Sequence, residues 1–201
     1  MHDHRHRNEP AGGRQEDDAT VYARALGEYR RSKDQAFAHD ADSPLLPQDR
    51  AHFDGLRYFP PDLGYRFEGL RAEPYSGQGT ADFTMQTSDG QPRRARRIAT
   101  LRFELGGRPL ALHAYGFADS DEGSLFIPFT DATSGQETYG AGRYLDLEPD
   151  DDGSYTLDFN LAYHPLCAYS PYFSCPLPPA ENRLPVRIEA GEMLLEGIGG
   201  H

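Results

Sequence analysis

Both cysteines of the chain, Cys167 and Cys175, fall within one stretch, Asp158 to Arg183, reading DFNLAYHPLCAYSPYFSCPLPPAENR. A thiol acts as a nucleophile or metal ligand once it is a thiolate, which requires a nearby base or an electropositive setting. His164 stands three residues before Cys167, so thiol-dependent transfer or hydrolysis is one chemistry this stretch can carry. A metal site is not expected. Structural zinc places paired cysteines about two to four residues apart, whereas these are eight apart with Pro171 between them, and His113 and His164 supply no local spacing to complete a set. The plain alternative is two buried thiols that fill space.

The polar candidates lie close by in sequence. On the strand-like run Ser154–Phe159, residues Tyr155, Leu157 and Phe159 take one face. Asp158 and Asn160 then project from the other. If Leu147 pairs with Ser154 across the acidic loop 148–153, Arg143 lies opposite Asp158. Such a pair is bidentate in geometry, and it either anchors the long stretch or orients a ligand. The ligand reading assigns charge to Arg143, hydrogen bonds to Asp158 and Asn160, and walls to Tyr163 and Tyr169. The ligand is then a small polar or anionic molecule. Asp131 and Asp158 can also be drawn as an acid–base pair, and Ser134 with His113 and a carboxylate as a hydrolytic triad, although no Gly-x-Ser-x-Gly is present. A purely structural or protein-interaction module is the third reading. No motif specifies a cofactor.

The surrounding elements must hold these residues. The long stretch carries five prolines and five aromatics, so it is neither a helix interior nor a central strand, and it is too aromatic for a disordered linker. A long loop held by its own rings is expected, and loops of that kind are commonly functional. Residues 17–40 form an amphipathic helix capped by Asp17 or Asp18, with Val21, Tyr22, Ala25, Leu26, Tyr29 and Phe37 as its apolar stripe. Arg24, Glu28, Arg31 and Asp34 form the opposite face. From about Arg66 to residue 190 the period falls to two, with runs at 80–87, 99–105, 110–117, 125–129, 143–147, 154–159 and 186–189 and a two-residue hairpin at Gly106-Gly107. The expectation is a mainly β domain over 17–201, an antiparallel barrel or sandwich of about seven or eight strands with the helix outside. A polar, disordered tail is expected over 1–16.

Charge narrows the partners. A formal net charge of −12 at pH 7 argues against nucleic-acid or anionic-membrane binding. There is no long apolar run and no secretory pattern at the start, so a cytoplasmic location with free thiols is expected. Lys33 is the only lysine; the other basic side chains are arginines.

The segments FTDATSGQETYGAGRYL (129–145), LDFNLAYHPLCAYSPYFSCPLPPAENRL (157–184) and Ala190-Gly191-Glu192 resemble the domain-of-unknown-function 1684 family. The similarity is strong over 125–192 and weaker over 43–60. The positions that match its motif are Asp131, Tyr139, Arg143, Asp158, Asn160, Tyr163, Cys167, Cys175, Glu181 and Asn182. The family pattern has Asn-Pro-Pro-Cys where this chain has His164-Pro165-Leu166-Cys167. The resemblance implies membership without an activity, and it extends the candidate ligand-binding set to Asp131, Tyr139, Cys167, Glu181 and Asn182.

Overall fold

A computed structural model describes residues 17–76, 79–118, 121–195 and 197. The expected tail over 1–16 lies outside the described residues. Helix α1 runs Asp18–His39, and Asp17 accepts the Thr20 N–H at 2.7 Å as its N-cap. The capped donor is one of those an α-helix cannot satisfy within itself. A one-turn helix follows at Pro47–Arg50.

Among the described residues ten strands follow: β1 (Arg57–Tyr58), β2 (Arg66–Leu70), β3 (Glu73–Pro74), β4 (Asp82–Met85), β5 (Arg93–Leu105), β6 (Arg108–Gly116), β7 (Leu125–Phe129), β8 (Arg143–Leu147), β9 (Tyr155–Asp158) and β10 (Glu192–Met193). All named pairings are antiparallel. The main sheet has the order β3-β5-β6-β7-β8, with β4 also paired to β5. Two ribbons, β2-β9 and β1-β10, lie apart from it, and among the described residues the strands do not close into a barrel. The longest pairing, β5 with β6, turns at Gly106-Gly107, so that Leu105 faces Arg108. Both glycines have positive φ, 59° and 75°. Two-residue turns of that kind match the twist of the strands they join.

The core lies between the main sheet and the β2-β9 ribbon. Phe67 of β2 lies tilted against Phe103 of β5, ring centroids 4.9 Å apart, and Phe159 meets both Phe103 and Phe129. Leu101, Leu112, Ile127 and Leu157 are fully buried there, each worth about 1.5–3 kcal/mol against exposure.

Three local expectations change. Residues 186–189 are not a strand, because side chains satisfy their backbone: Asp131 accepts the Ile188 N–H at 2.7 Å. The acidic loop does not return β9 beside β8. Asp152 accepts the Ser154 N–H at 2.9 Å and Asp150 accepts from Thr156, and the chain passes into the second layer, where β9 pairs with β2. The packed face of α1 coincides with only half of the apolar stripe. Tyr22, Leu26 and Phe37 turn inward, whereas Val21 and Tyr29 are 42% and 45% exposed. Arg30, Lys33 and Asp34 share the inward face. Arg30 donates to Phe59 O at 3.0 Å, and Asp34 accepts the Leu56 N–H at 2.9 Å.

Candidate functional site

The residue opposite Asp158 is Arg66, not Arg143. Arg143, on β8, pairs across to Phe129 and is completely buried. Its guanidinium donates to the carbonyls of Ala190 and Ile188, the latter at 2.8 Å, and meets Asp131 at 3.4 Å. Asp131 in turn accepts from Thr133, Ser134 and the Ile188 N–H. Burial lowers the Arg143 pKa and Asp131 opposes that effect. The pair thus fastens the C-terminal segment to the sheet: Nη1 and Nη2 are spent on backbone carbonyls and Asp131, while the buried Nε has no hydrogen-bond partner among the described residues.

Asn160 and Asn182 act as backbone braces. Asn160 exchanges two hydrogen bonds with the main chain of Asp62, at 2.9 and 2.8 Å. Asn182 does the same with His113, at 2.8 Å each, and adds one to Pro128 O. Each amide substitutes for a missing strand partner. Glu181 accepts from Arg97 and from the Tyr115 hydroxyl, both at 2.7 Å. His113 pairs with Thr100 while Ser134 bonds Asp131, so the drawn triad is not linked. Asp131 and Asp158 serve separate segments and do not form an acid–base pair.

A second buried cluster centres on Glu192, at the start of β10 and 1% exposed. Its carboxylate receives Lys33 from α1, the Tyr169 hydroxyl at 2.9 Å and the His164 N–H at 2.7 Å. The His164 ring accepts the Tyr139 N–H on Nε2 at 3.1 Å, which leaves the proton of the neutral ring on Nδ1, 4.0 Å from Glu192. Burial, with Arg143 and Lys33 nearby, lowers the His164 pKa to about 3, so the neutral ring is a weak base, and its acceptor lone pair is already taken by the Tyr139 N–H. Neither Lys33 nor Glu192 carries a local sequence signature of this role; the cue was a lone lysine between Leu26 and Phe37 on one helical stripe.

Gly191 makes the β10 turn possible. Its φ is +79°, and a Cβ there would stand 2.5 Å from Ala162 O and 2.7 Å from Phe159 O. Gly191→Ala is expected to lose about 3 kcal/mol or more, combining left-handed strain with a backbone clash. Gly107→Ala, at φ +75° in open space, is expected to lose only about 1–2 kcal/mol. Urea unfolding of the two variants measures the difference.

The two thiols are free, and each is 7% exposed. They sit among Tyr144, Tyr139, Phe126 and Phe173. Among the described residues, no group of three or more His, Cys, Asp or Glu is arranged to hold a metal ion.

The open feature next to the predicted residues is a cleft of about 490 Å³ between α1 and strands β8 and β9. Tyr22, Tyr29 and Tyr163 form aromatic walls, and Asp146, Glu148 and Asp158 supply carboxylates. Arg66 also lines it, but is engaged by Glu68 at 2.8 Å and Asp158 at 3.5 Å. Asp158 accepts from Tyr22 at 2.7 Å, and Asp146 accepts from the Tyr163 hydroxyl. Burial and the adjacent carboxylates raise both tyrosine pKa values. Of the ten candidates, the cleft includes Asp158 and Tyr163; Arg143 and Asn160 serve the interior, and Tyr29, Asp146 and Glu148 were not anticipated.

A mainly β chain with one principal helix and a motif spent largely on internal bracing is the class these features define. The family described as "Protein of unknown function (DUF1684)" matches residues 51–193, and the chain belongs to that family. It is also similar to a protein of Haloarcula marismortui, described as uncharacterized and solved in solution by NMR. The two are 43% identical with a TM-score of 0.64, over 88% of this chain and 96% of that one. Comparison with curated proteins gives no match. Among the described residues no helix is long and apolar enough to cross a membrane.

Proposed function

We propose that the protein binds a small polar molecule, carrying a cationic or hydroxyl-rich group, in the cleft between α1 and strands β8 and β9. One observation carries this reading: three carboxylates and three tyrosines line a single cleft of about 490 Å³ whose one arginine is already paired. That volume suits a small ligand. Aromatic faces and carboxylates together attract an ammonium group. An anion, the charge the sequence suggested through Arg143, would meet a net negative lining.

A thermal-shift series on the full chain tests this, with tetramethylammonium, choline and a short diamine set against acetate and phosphate. The amines are expected to raise Tm saturably and the anions not. Asp146→Asn should abolish the shift and Tyr29→Ala should reduce it. Tyr29 is 45% exposed, so its loss leaves the packing in place. If no amine stabilises the wild type more than Asp146→Asn, the reading fails.

A further inference from the structure

We propose that Cys167 and Cys175 form a hydroperoxide-reactive dithiol site that closes reversibly to an intramolecular disulfide. The proposal is independent of the cleft. It starts from placement: the Cys167 N–H donates to Cys175 Sγ at 3.3 Å, and both cysteines are buried in one cluster with Tyr144. Two flanking elements hold them there. Cys167 sits in the 3₁₀ turn Leu166–Ala168. The Cys175 backbone bonds Ser88 in both directions, its N–H to Ser88 Oγ at 3.0 Å and its carbonyl to the Ser88 N–H at 2.9 Å. Of the intervening residues, 168–170 are buried and 171–174 turn outward, with Tyr172 85% exposed.

The chemistry follows from one proton shared between two sulfurs. A thiolate at Cys167 is stabilised first by a hydrogen bond from the Cys175 thiol, against the opposing effect of burial, and then by Ser88 and the Tyr139 hydroxyl, which together lower its pKa. The Cys175 pKa is pushed up by the same hydrogen bond and by burial. The pair therefore offers a thiolate and a neutral resolving thiol together at neutral pH. The Cys167 thiolate attacks one oxygen of hydrogen peroxide, the O–O bond breaks, and hydroxide leaves, giving the sulfenic acid. The Cys175 sulfur then attacks the Cys167 sulfur, the S–O bond breaks, and the oxygen leaves as water with the Cys175 proton. Overall, two thiols and one peroxide give a disulfide and two waters. The surrounding Tyr144, Phe126 and Phe173 limit access, which favours a small oxidant over a bulky disulfide. A nearby resolving thiol also diverts the sulfenic acid from further oxidation.

The test uses the reduced full chain, hydrogen peroxide, alkylation of remaining thiols and intact mass. The wild type is expected to lose two hydrogens and both alkylatable thiols, and to recover both with dithiothreitol. Cys175→Ser should instead accumulate a dimedone-trapped sulfenic acid at Cys167, and Cys167→Ser should resist the same peroxide dose. Should either variant fail to fold, the wild type still decides. Its iodoacetamide rate should rise at a pH below the ordinary cysteine range of about 8.5. Thiols that stay alkylatable, oxidise directly to sulfinic acid, or crosslink only between chains overturn the proposal.

Discussion

Arg143→Met is expected to destabilise the protein by about 3–5 kcal/mol, because it removes one partner of a buried ion pair and strands the other. Arg143 and Asp131 have fully buried side chains. The substitution also takes donors from the carbonyls of Ile188 and Ala190. A domain of ordinary stability has about 5–15 kcal/mol in total, so the variant should lie close to its unfolding transition. Urea unfolding with an unchanged m-value measures the loss. Arg66→Met provides the contrast. Arg66 is 31% exposed and pairs near solvent, where such a pair contributes about 0–1 kcal/mol. Arg143→Lys should recover little, since a point ammonium cannot reproduce the planar fork that spans Asp131 and two carbonyls. An Arg143→Met variant of wild-type stability would count against the bracing role and return Arg143 to the list of ligand contacts.

The reason Arg143 reads as a ligand contact in the sequence shows where local pattern stops being informative. Asp17 as a helix cap and Gly106-Gly107 as a turn depend only on neighbouring backbone, and both are legible from a few residues. The partner of Asp158 depends instead on which layer β9 joins. Asp150 and Asp152 send it to β2, and a pairing choice of that kind leaves no periodic trace. Helix α1 illustrates the same limit. Its inward face is held by Tyr22, Arg30, Lys33 and Asp34, each matched to one distant group. A hydrophobicity reading places Tyr22 inward but assigns a charged side chain such as Asp34 to solvent. The specific motif around Cys167 was recognisable as a string, but its residues divide among three tasks: Asn160 and Asn182 brace backbone, Tyr169 helps satisfy Glu192, and Cys167 faces Cys175.

Acid should weaken the protein through His164 before its carboxylates titrate. In the fold, this ring sits behind Lys33 of α1, Arg143 of β8, Glu192 of β10 and the hydroxyls of Tyr139 and Tyr169. Glu192 is the only acid of that group, and Lys33 already pairs with it. The folded pKa is depressed to about 3 from the ordinary 6.5. The sign follows: below pH 6.5 the unfolded chain takes up a proton that the folded chain refuses until about pH 3. Stability from this group is therefore complete above 6.5 and is lost progressively as pH falls toward 3. One refused proton corresponds to a limiting slope of about 1.4 kcal/mol per pH unit. Between about pH 6 and 5, where most unperturbed carboxylates remain charged, the wild type is expected to approach that slope. His113, also depressed by burial, adds in the same direction. In His164→Asn the amide oxygen accepts the Tyr139 N–H and no titrating group remains at the position. The variant should lose most of the slope in that window while keeping its stability at pH 7, as read by urea midpoints at successive pH values. A slope equal to the wild type's would place the acid sensitivity elsewhere and remove the argument that burial, with Arg143 and Lys33, holds the ring neutral.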